Sequence, residues 1–445
     1  MNPKLENMKN RQVPLLGFLF ALISLVCACH QDGSTGNSGN PPTGGSSSSY
    51  EAELVGNQMV IRWLNLTLDS AARQLVRDSM EIEYHFDILG IEECDCQNTA
   101  LELWTLDTTD GDFIGVEGTL ALMDQSGEGD VEGDLQFTFM VDSVAPIVNG
   151  AQGYGQFVNH SGGDAVRIAV VDTGLEYDFL STAVLYNSRD NSCQEQVSGW
   201  DYTEDNWDPR DLNGHGTVVT QIIMDELDEV GIPYEIVPVR AFDRHGKGSY
   251  FDVLCAISYI GRYSPVNLVN FSFGWRGMEQ NTLMNALIEE MSSQVLFIAS
   301  AGNEGMDTDH AEQAHFPSGY PAENLLSVAG FSGTPLFDPA SHSVTGIQLH
   351  QQSNYGPASI DVVAPYDLYT VNLASQSGQY QETPAGTSYA SAFVTARAAV
   401  ALFSDADLTP VALKDVVISS GYNSPGFDDY CSSGLVFPRE MNQMQ

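Results

Sequence analysis

Four short, nearly continuous apolar runs constrain the fold of this chain most strongly. They are AVRIAVVDTG (165–174), YEIVPVRAF (234–242), VNLVNFSFG (266–274) and QVLFIASAGN (294–303). Runs of this length and β-branched content are typical of strands buried on both faces of a parallel sheet. Each is followed by a polar turn or a helical stretch, such as SYFDVLCAISYIGRY. Residues 150–445 are therefore predicted to form an α/β domain with crossover helices on both faces of the sheet.

The charge of the chain limits its partners. Lys and Arg number 17 against 59 Asp and Glu, so the formal net charge is −42. Such a surface repels phosphate, which argues against nucleic acid as a partner. The acidity is interpreted as a solubility feature in preference to specific cation binding.

The N-terminus is typical of an exported protein. Residues 1–29 combine a basic start with the apolar run VPLLGFLFALISLVCAC. The run is rather short for a membrane-spanning helix, and its length and basic flank are typical of a signal peptide. Residues 30–49 are a Gly/Ser-rich linker. Small residues leading into a cysteine resemble a bacterial lipoprotein signal, which implies lipidation of Cys29, or else of Cys27, and membrane anchoring at the periplasmic or cell surface. An ordinary secretory signal is the alternative.

Residues 50–145 form a separate pattern. NQMVIRWLNL alternates like a strand, TLDSAARQLVRDSM has helical periodicity, and YHFDILGI and ALELWTL are further strands. The predicted apolar face of this helix consists of Leu68, Ala71, Ala72, Leu75 and Val76. The order strand, helix, strand, strand predicts a small α+β domain.

The cysteines outside the signal suggest one disulfide. Cys94 and Cys96 are too close in sequence to link distant parts of a fold, and without a nearby histidine they make a poor metal site. Cys193, Cys255 and Cys431 could supply one disulfide in an oxidising compartment, and the sequence does not specify the pairing.

Four polar residues occupy strand ends or helix starts in the α/β domain. Asp172 ends the first apolar run, His215 lies in NGHGT, Asn303 ends QVLFIASAGN, and Ser388 follows Gly-Thr before an apolar helix. Each alone has a structural explanation as a cap or turn residue. Ligands of such sheets, however, bind beyond the carboxyl ends of the strands.

The order Asp, His, Asn, Ser within VDTG, NGHGT, ASAGN and GTS resembles the subtilisin-like serine peptidases. The resemblance runs from about 165 to about 405. It includes VRAFDRHGKGSYFDVLCAI, FPSGYPAENLLSVAG and SNYGPASIDVVAPY, and it implies a cis bond at Phe316-Pro317.

The resemblance assigns a role to each of the four residues. Ser388 is implied as the nucleophile, His215 as the general base and acid, and Asp172 as the group that orients the imidazole. Asn303 and the backbone N–H of Ser388 are implied as oxyanion donors. The segments expected to pair with an extended polypeptide substrate are Ser272, Phe273 and Gly274 together with Ser300, Ala301 and Gly302. His315 falls where the family lines its first specificity pocket.

Two positions depart from the family pattern. The family usually continues its Gly-His-Gly-Thr with His-Val-Ala-Gly, where this chain has residues 218–221 as VVTQ. It usually has proline four residues after the nucleophile, where this chain has Ala392. Both changes concern helix packing, so they bear on pocket shape and turnover but not on the reaction type.

Members of the family commonly carry a small α+β propeptide that assists folding, blocks the cleft and is then removed. Residues 50–145 have the size, position and element order of such a propeptide, with a release point between 138 and 160. An unrelated binding domain is the alternative.

The chemistry implied by the resemblance requires no cofactor, but a structural Ca²⁺ ion is a further hypothesis. The loop before His215 gathers oxygen ligands of the kind calcium prefers. These are Asp201, Asp205, Asp208 and Asp211, with Asn206 among them. A solvated acidic loop explains the same residues equally well.

Two functions remain open at this point. The first is an exported serine endopeptidase acting through an acyl-enzyme. The second is a catalytically silent module that binds peptides or partner proteins through the same cleft. The intact set of four polar residues favours the enzyme, because a binding module has no need of an activated serine.

Overall fold

The structure is a computed structural model that describes residues 51–94, 98–126, 129–141, 165–180, 184–186, 199–263, 266–278, 281–375 and 378–438. All of these residues belong to one compact unit. The predicted signal and linker, with Cys27 and Cys29, lie outside the described residues, as do Cys96 and Cys193. Within the described part of the chain, no helix combines the length and apolar character needed to cross a membrane.

The N-terminal domain contains an antiparallel sheet and two helices, which confirms the predicted α+β class. Its elements are β1 (Glu53–Trp63), α1 (Ser70–Tyr84), β2 (Asp87–Cys94), β3 (Asn98–Asp107), α2 (Val116–Ser126) and β4 (Val131–Met140). The strand order is β2-β3-β1-β4. The sequence prediction, which ended with the strand ALELWTL, did not include α2 and β4.

The buried face of α1 differs from the prediction. Leu75 is 67% exposed, whereas Arg73 and Arg77 are buried. The cause is Glu102 on β3, which is fully buried and pairs with Arg77 at 2.6 Å and with Arg73 at 3.6 Å. A buried carboxylate without a cationic partner is costly, so the helix turns its arginines toward the sheet.

The second domain is built on a ten-stranded sheet. Its strands and helices are β5 (Val166–Asp172), β6 (Trp200–Asp201), α3 (His215–Val230), β7 (Tyr234–Arg240), β8 (Lys247–Ser249), α4 (Tyr250–Tyr263), β9 (Leu268–Phe271), β10 (Trp275–Arg276), α5 (Leu283–Glu290), β11 (Leu296–Ser300), β12 (His315–Phe316), β13 (Leu325–Asp338), β14 (Ser343–Leu349), β15 (Val362–Pro365), β16 (Val371–Ser375), β17 (Gly378–Glu382), α6 (Thr387–Ser404), α7 (Pro410–Ser419), β18 (Tyr422–Asn423) and β19 (Leu435–Val436). The sheet order is β14-β18-β19-β15-β13-β11-β9-β5-β7-β6.

The centre of this sheet is parallel, as predicted from the four apolar runs. Strand β5 pairs in parallel with β7 on one side and with β9 on the other, and β11 pairs in parallel with β9 and β13. Ile168 and Val170 of β5 face a core shared with α3 and α6, while Ala169 and Val171 face a core shared with α4 and α5. Burial on both faces explains why the middle of β5, from Ile168 to Val171, is apolar without interruption.

A short strand of the second domain, β8, joins the edge of the N-terminal sheet. Strand β4 pairs antiparallel with β8, with Thr138 opposite Ser249 and Met140 opposite Lys247. Asp134 on β4 accepts hydrogen bonds from the backbone N–H groups of Thr282 (3.0 Å) and Leu283 (2.7 Å). The N-terminal domain therefore supplies partners for otherwise unsatisfied N–H groups at the start of α5.

A disulfide also joins the domains, and it is not the one expected. Cys94 at the end of β2 is bonded to Cys255 in α4. The expectation that the bridge lies among Cys193, Cys255 and Cys431 was therefore wrong. Cys431 is a buried free thiol. Packing of β2 and β3 near α4 brings together two cysteines whose positions in the sequence give no sign of contact.

Candidate active site

Asp172 and His215 are brought together at the carboxyl edge of the sheet. Asp172 is the last residue of β5, and His215 is the first residue of α3; both are fully buried. His215 Nδ1 lies 2.8 Å from Asp172 Oδ1 and 3.0 Å from Oδ2. With the carboxylate ionised, the proton is on Nδ1 and the lone pair is on Nε2, which is the tautomer of a general base.

Ser388 lies in the first turn of α6 and is 4% exposed. Its hydroxyl donates to the carbonyl oxygen of Ser272 at 3.0 Å. A hydroxyl has one proton, so in this geometry Ser388 does not donate to His215 at the same time. Transfer of the proton to His215 requires rotation of the serine side chain, and catalytic hydrogen bonds are often long or misaligned before substrate binds.

Asn303 is oriented by the residue that precedes Ser388. Its Oδ1 accepts hydrogen bonds from the backbone N–H of Thr387 at 2.9 Å and from the Thr387 hydroxyl at 3.1 Å. These bonds fix the amide so that Nδ2 lies on the side of Gly386, 3.5 Å from where a Cβ there would stand. A fixed amide donor beside a helix N-terminus is suited to stabilise a developing oxyanion.

A buried polar cluster supports the Ser388 backbone, and the sequence analysis missed it. The carbonyl oxygen of Ser388 accepts hydrogen bonds from the hydroxyls of Ser272 and Ser391, both at 2.8 Å. Ser272 Oγ also lies 2.8 Å from Asn270 Oδ1 on β9, so its single proton is donated to one of these two acceptors at a time, and Asn270 Nδ2 donates to Thr395 at 3.0 Å. The signal was present in the sequence, because positions 388, 391 and 395 share one helical face.

Tyr389, which follows the serine, was also missed. Its ring centroid lies 5.7 Å from that of His215, at an angle of 47°. Tyr389 is buried, so the two rings pack against each other inside the site. This contact restrains the position of the imidazole.

The six predicted substrate-binding residues lie after β9 and at the end of β11. Ser272 and Phe273 follow β9, and Ser300 is the last residue of β11. All six are buried in the described chain. Phe139 at the end of β4 packs against Phe273, with ring centroids 5.9 Å apart. The N-terminal domain therefore reaches one of the two predicted substrate-binding segments.

The acidic loop is held together by protein groups. Asp201 is 2.6 Å from Arg240 Nη1, and Asp211 accepts hydrogen bonds from the N–H groups of Asn213, Gly214 and Thr217 at the start of α3. Burial raises the pKa of Asp201 and of Asp211, and in both cases the hydrogen bonds oppose that shift. Asp211 therefore helps to hold the helix that carries His215.

The same loop fits a calcium ion poorly. Within the described ranges, no group of three or more His, Cys, Asp or Glu side chains is arranged to hold a metal ion. Two of the four predicted calcium ligands have protein partners instead: Asp201 pairs with Arg240, and Asp211 accepts from backbone N–H groups at the start of α3. Calcium binding stays a prediction, which a comparison of thermal stability with and without chelator tests.

The site places an aspartate and a histidine in hydrogen-bond contact at the carboxyl edge of an α/β sheet, and a serine at the start of a helix that contacts the segment after β9. The chain belongs to the subtilase family, peptidase S8, whose sequence profile matches residues 163–434. This agrees with the family that the sequence motifs indicated, and the predicted cis bond at Phe316-Pro317 is present.

Individual relatives give the same assignment. A thermophilic serine proteinase from Bacillus sp. (strain AK1) is 31% identical over 246 residues, which is 54% of this chain and 52% of that protein. Thermitase from Thermoactinomyces vulgaris is 26% identical over 50% of this chain and 72% of its own length. The chain spans about half the length of the first of these relatives.

Solved structures are similar as well. A cold adapted subtilisin-like serine proteinase is 24% identical and aligns with 62% of this chain and 90% of its own, with a TM-score of 0.44. The A-subunit of an AB5 toxin from E. coli is 21% identical and has a TM-score of 0.46.

Proposed function

We propose that this protein is an exported serine endopeptidase that hydrolyses polypeptides through an acyl-enzyme. The observation that carries the proposal is the buried pair of Asp172 and His215, 2.8 Å apart, with the imidazole packed against Tyr389, the residue that follows Ser388 at the N-terminus of α6. With the carboxylate of Asp172 on Nδ1, the lone pair of His215 is on Nε2, which is the arrangement that a general base needs.

The reaction follows from these positions. Ser388 Oγ attacks the carbonyl carbon of the scissile bond while its proton passes to His215 Nε2. The carbonyl oxygen becomes an oxyanion, to which Asn303 Nδ2 and the Ser388 N–H donate. The C–N bond then breaks, and the imidazolium returns the proton to the leaving amine. Water, deprotonated by the same histidine, releases the acyl group and restores the serine. Asp172 stabilises the imidazolium in both steps.

Labelling with a fluorophosphonate probe, which reacts only with an activated serine, tests this function. The wild-type chain is expected to label and to hydrolyse casein, and Ser388→Ala is expected to do neither. The silent-module alternative predicts no labelling of either chain, while peptides still bind.

The N-terminal domain is further proposed to be a propeptide that inhibits the cleft until the chain is cut. Its support is the β4–β8 pairing and the hydrogen bond from Val141 N to Gly246 O at 2.8 Å, which lead β4 toward the substrate-binding segment at Phe273. N-terminal sequencing of the active species tests it, because a start near residue 29 with no internal cut contradicts maturation.

Export and lipid anchoring at Cys29 complete the proposal. The support is the signal-like sequence alone. Incorporation of radiolabelled palmitate into the wild-type chain but not into Cys29→Ser tests the anchor, and labelling that persists in this variant points to Cys27.

A further inference from the structure

A groove lies between the two helices of the N-terminal domain. Its walls are α1 and the C-terminal end of α2, with the end of β1 and the start of β4 beside them, and its volume is about 760 Å³. Binding sites for small ligands in proteins have volumes of about 300 to 1,000 Å³, so this groove has the size of a binding site. Its apolar lining consists of Leu64, Leu75, Val76, Met80, Met123 and Val131.

Two leucines expose apolar surface in the groove. Leu75 on α1 is 67% exposed, and Leu64 after β1 is 53% exposed. Helix α1 turns Arg73 and Arg77 toward the buried Glu102, which leaves Leu75 on the outer side of the helix. Exposed apolar side chains that line one concave surface with a polar rim are typical of an interaction site.

The rim of the groove is acidic. None of the described residues that line it is basic, and four are carboxylates: Glu83, Asp124, Asp130 and Glu132. Glu132 is paired with Arg62 at 3.1 Å, and Asp130 accepts a hydrogen bond from Asn65 at 3.3 Å. Glu83 and Asp124 are exposed on opposite walls, so their charges are directed to whatever enters the groove.

The groove stays accessible while the two domains are docked. Val60 and Leu103 belong to the core that the N-terminal sheet shares with α4 of the second domain. Ile61 and Trp104 belong to the core under α1 and α2. The sheet therefore meets the second domain through one face and its own helices through the other. The described residues that line the groove all belong to the N-terminal domain.

The surroundings of the groove restrict what can bind there. Strand β1 is paired with β3 and β4, and β4 is paired with β1 and β8, so an extended peptide has no free strand edge to join. A helix that inserts apolar side chains into an apolar groove is the mode of peptide recognition that remains. The net charge of −42 disfavours a second copy of this chain or an anionic lipid surface, because like charges repel each other.

We propose that the groove between α1 and α2 binds a basic amphipathic helix of a partner protein. The apolar side chains of that helix pack against Leu64 and Leu75, and its lysines or arginines lie beside Glu83 and Asp124. This inference goes beyond the proposed peptidase function and does not rest on it, because the groove contains no residue of the active site.

Fluorescence anisotropy with three labelled peptides, each about 18 residues long, tests the proposal. The protein is the full chain with Ser388→Ala, so that no probe is cut. The first peptide is an amphipathic helix of Leu and Lys, the second has the same composition in scrambled order, and the third is amphipathic with Glu in place of Lys. We expect saturable binding of the first, about tenfold or more tighter than that of the others. Equal binding of the scrambled peptide, or no saturable binding of the first, overturns the proposal.

Two leucines of equal exposure provide matched variants. Leu75 lines the groove, whereas Leu89 on β2 lies outside it, and each is 67% exposed. Leu75→Gln is expected to weaken binding of the Leu/Lys peptide by about tenfold, because it removes apolar contact area, and Leu89→Gln is expected to leave it unchanged. Both side chains are exposed, so both variants should keep the Tm of the parent chain. Binding that survives Leu75→Gln, or that falls equally in both variants, contradicts the proposal.

Charge reversal tests the acidic rim. Glu83→Lys with Asp124→Lys is expected to weaken binding of the Leu/Lys peptide and to strengthen binding of the Leu/Glu peptide, so that the preference is reversed. Asp87→Lys with Glu93→Lys changes the net charge equally at exposed positions of β2 outside the groove, and it should keep the preference for the Leu/Lys peptide. An equal change in both double variants shows that binding follows the net charge of the chain, which refutes a site in the groove.

Discussion

Removal of the disulfide between Cys94 and Cys255 should weaken the attachment of the N-terminal domain. The expected loss of folding free energy can be calculated from the length of the loop that the disulfide closes. The two residues are 161 apart in sequence. For a loop of that length, the chain-entropy relation gives about 17 cal/mol/K, or about 5 kcal/mol at 25 °C. For a unit of about 400 residues, a loss of this size lowers Tm by about 6 °C.

The double variant Cys94→Ser with Cys255→Ser is the perturbation, and thermal unfolding is the first assay. Cys431→Ser is the matched control, because it removes a buried free thiol and no crosslink. A drop in Tm of about 2 to 6 °C in the double variant that exceeds the drop in the control is expected. Equal drops in both indicate that packing of the thiols, not the crosslink, sets the stability.

The second assay follows the domain after the chain between the domains is cut. Because the disulfide spans the cut, the N-terminal fragment is expected to stay with the catalytic domain on a non-reducing gel and to separate on a reducing one. A tethered inhibitor has a high effective concentration at the cleft, so activity should rise when the cut enzyme is reduced. If the fragment separates without reductant, the reasoning is refuted. If the chain does not cut itself, added chymotrypsin supplies the cut, and the two gels still decide the question.

Three further outcomes are expected. Asp172→Asn should lower kcat by about 10⁴-fold, as the same change does in another serine protease, because His215 then holds the wrong tautomer; steady-state kinetics measures this. Asn303→Ala should lower kcat by about 10² to 10³-fold with little change in KM, which peptide hydrolysis reports. Burial raises the pKa of Asp134 to about 6, so the native state binds that proton more tightly than the unfolded chain does. Its contribution to stability is complete below about pH 4 and is lost as the pH rises through 6, by about 3 kcal/mol. Asp134→Asn should therefore remove this part of the pH dependence in denaturant titrations.

The parallel sheet could be predicted because burial on both faces leaves a direct mark on the sequence. Strand β5 is apolar on both sides and ends at Asp172, where the polar character begins. The helix that carries His215 begins at that residue, at the N-terminal side of the apolar segment that follows NGHGT. For these elements the local pattern and the tertiary environment agree, so the positions of the site residues follow from the strand ends.

Features that depend on contacts between distant residues could not be predicted. Arg77 is buried because Glu102, 25 residues away, lies on the strand beneath it. The partner of Cys255 is fixed by the docking of a whole domain onto α4. The resemblance placed His315 near a specificity pocket. Only the structure shows that, among the described residues, its Nε2 is buried without a hydrogen-bond partner and that its ring lies against Gly274.

Helix α6, which carries Ser388, has both kinds of feature: its apolar sequence is visible in the chain, and its contacts with distant residues are visible only in the structure. Its carbonyl at Ser388 accepts from the hydroxyls of Ser272 and Ser391. In a regular helix the N–H four residues further on donates to the same oxygen. Ala392 keeps that N–H, where the family that the sequence resembles usually has proline. A carbonyl oxygen has two lone pairs, so three donors compete for it. A proline at this position would remove the backbone donor and leave the two hydroxyls.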